Sequence, residues 1–84
     1  MVFGIVGCSY EVKIECEHGS SKQYIVSGDE RTLTIIYSDG KQRIHQKELI
    51  FRSGNILFRD SLGNSITYDP LKKDLLDLGK CKEV

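Results

Sequence analysis

The chain carries three cysteines and two histidines, the side chains most able to bind a metal or act as nucleophiles. Cys16-Glu17-His18, with Cys81 and His45, could supply four ligands of the kind zinc takes. The spacing argues against that use. Cys-x-His is tighter than the roughly two- to four-residue separation of chelating pairs, and no second close pair follows. The histidines are instead expected as solvated polar residues, His18 in a turn and His45 on the outer face of a strand. Carboxylates form two close pairs, Glu15/Glu17 and Asp29/Glu30. Alternation sets Glu15 and Glu17 about 7 Å apart on one strand face, and nothing marks that face as buried. No Ser–His–Asp set can be singled out. Gly4 and Gly7 precede no helix and so make no phosphate loop. A core this small also leaves little room for a concave catalytic pocket. The chain is therefore expected not to be an enzyme, and to need neither cofactor nor metal.

An odd cysteine count fits poorly with a pure disulfide framework, and two readings stay open. In one, Cys8 carries a lipid and Cys16 pairs with Cys81. Ile5-Val6-Gly7-Cys8 resembles a bacterial lipobox, whose cysteine is lipidated and becomes the mature N-terminus. A bridge from Cys16 to Cys81 would close a long loop and stabilise by roughly 4 kcal/mol in the chain-entropy model. In the other reading the protein is cytoplasmic with three free thiols, and Cys16 is a small core residue. A signal peptide needs a charged n-region and an apolar h-region of about 7–15 residues. The residues before Cys8 include no Lys or Arg. Residues 1–8 are thus expected either as the remnant of a lipoprotein signal whose start lies upstream, or as a first strand over Val2–Val6.

The elements that must position these residues are short strands. Eighty-four residues make one domain, 1–84, and a chain of this size buries only about 60% of its unfolded surface. No apolar run approaches the roughly 18 residues of a transmembrane helix. Twelve basic residues balance twelve acidic ones, so no global field steers the chain to nucleic acid or anionic lipid. The basic residues are scattered, with only Lys72-Lys73 adjacent, unlike the basic stripe with aromatic platforms of small nucleic-acid binders.

Tyr10–Cys16 alternates cleanly: Tyr10, Val12, Ile14 and Cys16 on one face, Glu11, Lys13 and Glu15 on the other. Lys22–Ser27 follows, with Tyr24 and Val26 on one side. Thr32–Ser38 is β-branched, with Leu33, Ile35 and Tyr37 sharing a face. Asp39-Gly40 is a hairpin signal. Lys41–Gln46 has Ile44 as its one apolar residue and reads as a weak or edge strand, with Lys41, Arg43 and His45 on its outer face. Leu49–Arg52 pairs with Ile56–Arg59 through Ser53-Gly54-Asn55, and Asn64–Tyr68 comes after Leu62-Gly63. The expected fold is all-β: a small antiparallel barrel or sandwich of seven to eight strands. Asp69-Pro70 and Gly79 bracket Leu71, Leu75 and Leu78, and predict a short helix over 70–78.

The remaining function class is binding. Aromatic and Arg residues dominate interface hot spots, and the candidate partner contacts are Tyr24, Lys47, Phe51, Arg52 and Arg59, with Tyr37 and Phe58 read as core. Cys16-Glu17-His18-Gly19 resembles the Cys-x-x-Gly opening of the membrane-bound and periplasmic inhibitors of c-type lysozyme. Leu33–Asp39 is similar to that family's third strand, Phe51–Phe58 to its Tyr-x-x-Gly hairpin, and Cys81 to its terminal cysteine; Cys8-Ser9 is similar to the lipidated start of its membrane-bound members. The resemblance spans most of residues 8–84. It implies an eight-stranded barrel, a Cys16–Cys81 bridge and a periplasmic or outer-membrane-anchored inhibitor that engages a protein through its loops. Where that family carries its inhibitory Ser-x-Ser-Gly-x-x-Tyr loop, this chain has Gln46–Phe51 and keeps only the aromatic, Phe51. Two alternatives stand beside it: a cytoplasmic phage or mobile-element protein that blocks a host machine, and a small nucleic-acid-binding barrel.

Overall fold

A computed structural model describes residues 11–18, 21–76 and 78–84. Cys8 and the Val2–Val6 segment lie outside them. The described residues form eight strands and no helix: β1 (Val12–Cys16), β2 (Ser21–Val26), β3 (Thr32–Tyr37), β4 (Gln42–Ile50), β5 (Ile56–Arg59), β6 (Ser65–Asp69), β7 (Asp74–Leu75) and β8 (Cys81–Glu83). All pair antiparallel in one sheet of order β7-β6-β5-β4-β3-β2-β1-β8. The two ends of that order, β7 and β8, come back into contact, so the sheet curls into a nearly closed barrel. Curling answers the problem of a small core. It lets one sheet bury its inner face against itself and leaves only two very short edges.

The inner face follows the period-two pattern. Ile14, Tyr24, Val26, Leu33, Ile35, Ile56, Phe58, Tyr68 and Leu75 are buried together. Phe58 and Tyr68 stack at a tilt, ring centroids 6.4 Å apart. Tight turns join the strands. At Asp39-Gly40 the Asp39 carboxylate accepts from Lys41 N–H at 2.9 Å, and Gly40 sits at φ 91°, a conformation that a β-carbon would strain.

Three expectations need correction. Lys41–Gln46 is no edge: β4 runs unbroken from Gln42 to Ile50 between β3 and β5, with a register shift between Lys47 and Leu49. The bulge at Glu48 joins what read as two strands, because an extra residue lets a ladder continue with a bend. The helix over 70–78 is absent among the described residues. Asp69 does accept from Leu71 and Lys72 N–H at 3.0 and 3.2 Å, as an N-cap should. Lys73 then turns to φ 53° and ends the turn, and Asp74–Leu75 pairs with Tyr68–Asp69 instead. A helix of two turns is marginal on its own. Here the barrel offers Leu75 a buried site beside Tyr68, while Leu71 is left exposed. Finally, Tyr24 is a core residue, 3% exposed.

Candidate functional site

Register decides what lies inside. β3 pairs with β4 so that Leu33 faces His45 and Ile35 faces Arg43. Leu33 and Ile35 point into the core, so Arg43 and His45 do too, and Ile44 points out, 55% exposed. This reverses the expected facing of β4. A strand's side chains alternate strictly, so misjudging one residue flips the whole set. His45 is thereby a fully buried residue rather than a solvated one.

Asp60 meets these two side chains from the end of β5 and is itself buried. Its Oδ1 accepts from the Leu62 and Asn64 backbone N–H groups at 2.9 and 2.8 Å. Its Oδ2 accepts from the Asn64 side-chain amide and from Arg43 Nη1, both at 3.1 Å. His45 Nε2 lies 3.8 Å from the same Oδ2, beyond hydrogen-bond reach, and His45 Nδ1 has no hydrogen-bond partner. Burial opposes ionisation of Asp60, yet the hydrogen bonds from Asn64, Arg43 and Leu62 outweigh it and hold its carboxyl well below the usual carboxylate range. Burial also lowers the pKa of His45; the Asp60 charge works the other way and Arg43 adds to the lowering. The cluster thus holds an ionised Asp60–Arg43 pair beside a neutral imidazole.

The cluster lies at the barrel end where β1, β3 and β5 finish and the Cys16–Cys81 pair closes β1 against β8. The two cysteines form a disulfide across a sequence separation of 65 residues. A cavity of about 340 Å³ opens at this mouth. Outside the sheet, a wider depression of about 520 Å³ lies over the disulfide between Glu15, Glu17, Lys80 and Lys82, whose charges balance.

The opposite end carries the β4–β5 hairpin. There Leu49, Ile50 and Phe51 are exposed to 40%, 57% and 42%. Phe51 N–H donates to Asn55 O at 2.8 Å and Gly54 N–H to Phe51 O at 2.9 Å, so the tip is an ordered turn. Arg52 is exposed beside Phe51. Lys47 is exposed, and Arg59 is held by Glu48 at 3.2 Å on the same hairpin. Four of the five expected contacts lie on the β4–β5 strand pair, Phe51 and Arg52 at its tip, Lys47 midway, and Arg59 next to Asp60 toward the mouth, while Tyr24 is withdrawn into the core. Phe58 is core as expected and Tyr37 is half-buried.

With Cys16 and Cys81 oxidised, no thiolate remains there for a metal, and among the described residues no group of three His, Cys, Asp or Glu side chains could hold one. Asp29 is a turn residue: it accepts from the Ser27 hydroxyl at 2.7 Å and from Arg31 N–H at 3.1 Å. The sequence reading missed Arg43, His45 and Asp60 as a unit. Two signals pointed to them: the polar i, i+2 pair Arg43/His45, and Asp60 four residues before Asn64 in a turn sequence. The chain matches no protein-family model, no curated protein and no solved structure.

Proposed function

We propose that this chain is a non-enzymatic, inhibitor-type binding protein of the bacterial envelope that engages a protein partner through its β4–β5 hairpin. The observation that carries the reading is the run Leu49-Ile50-Phe51, exposed on an ordered turn and flanked by Arg52. Three consecutive large apolar side chains facing water are a cost a monomer avoids unless something covers them. Aromatic and Arg residues are also the types enriched in interfaces. The Cys16–Cys81 disulfide supports an oxidising compartment. The likeness of Phe51–Phe58 to the lysozyme-inhibitor hairpin points to the same segment.

A photo-crosslinking residue placed at Phe51, and separately at Lys13 on β1, three strands away from β4 in the sheet, tests this in the native host. One dominant adduct with another protein from position 51, absent from position 13 and lost with Arg52→Glu, is the expected result. Equal labelling from both positions, or adducts only between copies of this chain, would overturn it. Thiol labelling in intact cells tests the compartment: Cys16 and Cys81 resistant to alkylation until reduced support the envelope, and both freely alkylated would remove it.

A further inference from the structure

The mouth of the barrel has features that a turn-capping cluster alone does not require. Asp60 is saturated, with four hydrogen bonds donated to its two carboxylate oxygens. It cannot attract a cation without losing some of them. What it does is hold Arg43 in one orientation at the edge of a cavity. The Arg43 side chain is 39% exposed and spends a single N–H group, on Nη1, on Asp60. A guanidinium has five N–H donors in a rigid fork, so most of them face no described acceptor. His45 lines the same cavity with its buried Nδ1 unpartnered. A buried ring nitrogen without a partner is costly and calls for a ligand or solvent atom.

The rest of the lining is apolar. Ile35, Ile66 and the half-buried Tyr37 form the wall, and Leu62, 71% exposed on the β5–β6 turn, stands at the rim. The volume of about 340 Å³ falls in the range of small-molecule sites and accommodates a phenyl-sized body. Charge narrows the class further. Arg43 and Asp60 cancel, and His45 is neutral, so the site has no surplus positive charge for a dianion such as phosphate. It has a directed donor edge for one carboxylate and an apolar wall for what the carboxylate is attached to.

We propose that the barrel mouth binds a small organic carboxylate with an apolar body, the carboxylate on the free edge of Arg43 and the body against Ile35, Ile66 and Leu62. The site lies at the opposite end of the barrel from the hairpin assigned to the protein partner and stands independently of that reading.

Phenylacetate, benzyl alcohol and inorganic phosphate titrated into the full isotope-labelled chain test the proposal by amide chemical shifts. Phenylacetate is expected to saturate with a dissociation constant on the order of 1 mM, with the shifts confined to residues around Tyr37, Arg43, Leu62 and Asn64. The alcohol and phosphate are expected to bind roughly tenfold or more weakly, for want of the charge-assisted pair or of the apolar body. Arg43→Gln should weaken phenylacetate by roughly tenfold or more. Should Arg43→Gln not fold, Leu62→Asp at the exposed rim supplies the reading, since it places a like charge beside the carboxylate without touching the core. N-acetylglycyl-phenylalanine and its amide distinguish a peptide carboxyl terminus from a free acid as the source. Shifts that do not saturate, that map elsewhere, that are equal for acid and alcohol, or that ignore both substitutions would overturn the proposal.

Discussion

The two ends of the barrel reverse the usual arrangement of polar and apolar groups in different ways. At the mouth, Arg43, His45 and Asp60 sit inside, on the face that elsewhere holds Ile, Leu, Phe and Tyr. At the hairpin end, Leu49, Ile50 and Phe51 are exposed. The mouth tolerates its polar interior because Asp60 is fully hydrogen-bonded and paired with Arg43. Buried polar groups are acceptable when each one is satisfied, and at the mouth the exception is His45 Nδ1. The hairpin has no such internal compensation. Leu49 and Ile50 pair with Leu57 and Ile56 of β5, yet they and Phe51 stay 40–57% exposed among the described residues. Concave and polar at one end, convex and apolar at the other, the same sheet presents two different chemistries.

Breaking the disulfide should have the largest effect, and it should fall on the mouth end. Replacing Cys16 and Cys81 together by Ser is expected to cost about 4 kcal/mol in urea unfolding, from the longer free chain of the unfolded state. Amide exchange in β8 and β1 should accelerate before exchange in the hairpin does.

Acid is the next lever. The folded-state pKa of His45 lies below its unfolded value near 6.5, so its contribution is fully present above about pH 6.5 and falls as the pH drops below that value. The folded-state pKa of Asp60 is also depressed, so its contribution is present above an unfolded value of about 3.9 and is lost as pH falls further. Both limbs run the same way: Tm should decline from neutral pH downward in two stages. His45→Gln should flatten the upper stage, and Asp60→Asn the lower one. A Tm that is level between pH 7 and 5 in the parent would contradict the buried neutral imidazole.

Relief of backbone strain at the hairpin end should be smaller. Glu30 sits at φ 60°, a left-handed conformation, and Glu30→Gly is expected to stabilise by about 0.5–1 kcal/mol, measured by chemical denaturation. Smallest of all, Phe51→Ser should leave stability within about 0.5 kcal/mol while abolishing the crosslink to a partner. A large loss of stability instead would mean that Phe51 packs against the barrel, and the contrast between the two ends would fail.

Much of the barrel was legible before any coordinates. Val12/Ile14/Cys16, Tyr24/Val26 and Leu33/Ile35/Tyr37 alternate as inner-facing sets, and each lines the core or its margin. Asp39-Gly40 and Ser53-Gly54-Asn55 marked turns, and both glycines adopt positive φ. The candidate site was legible only in part. Phe51 and Arg52 stand out by residue type, as an aromatic and an arginine; they read as the end of a strand, and only the structure puts them past Ile50 on the exposed β4–β5 turn. Arg43, His45 and Asp60 did not stand out, because Ile44 was the sole apolar residue of Lys41–Gln46 and drew the inner face to itself.

What the sequence determined by itself is the local alphabet: where strands run and where they turn. Those follow from side-chain shape and from backbone preferences within a few residues. Tertiary structure alone decided the facing of β4, the choice of a strand over a helix after Asp69, and the meeting of Arg43 with Asp60 across 17 positions. Each depends on a free energy shared among strands far apart in sequence. Ile44 is exposed because Leu33 and Ile35, paired opposite His45 and Arg43, fix the register, and a single β-strand cannot choose its face alone.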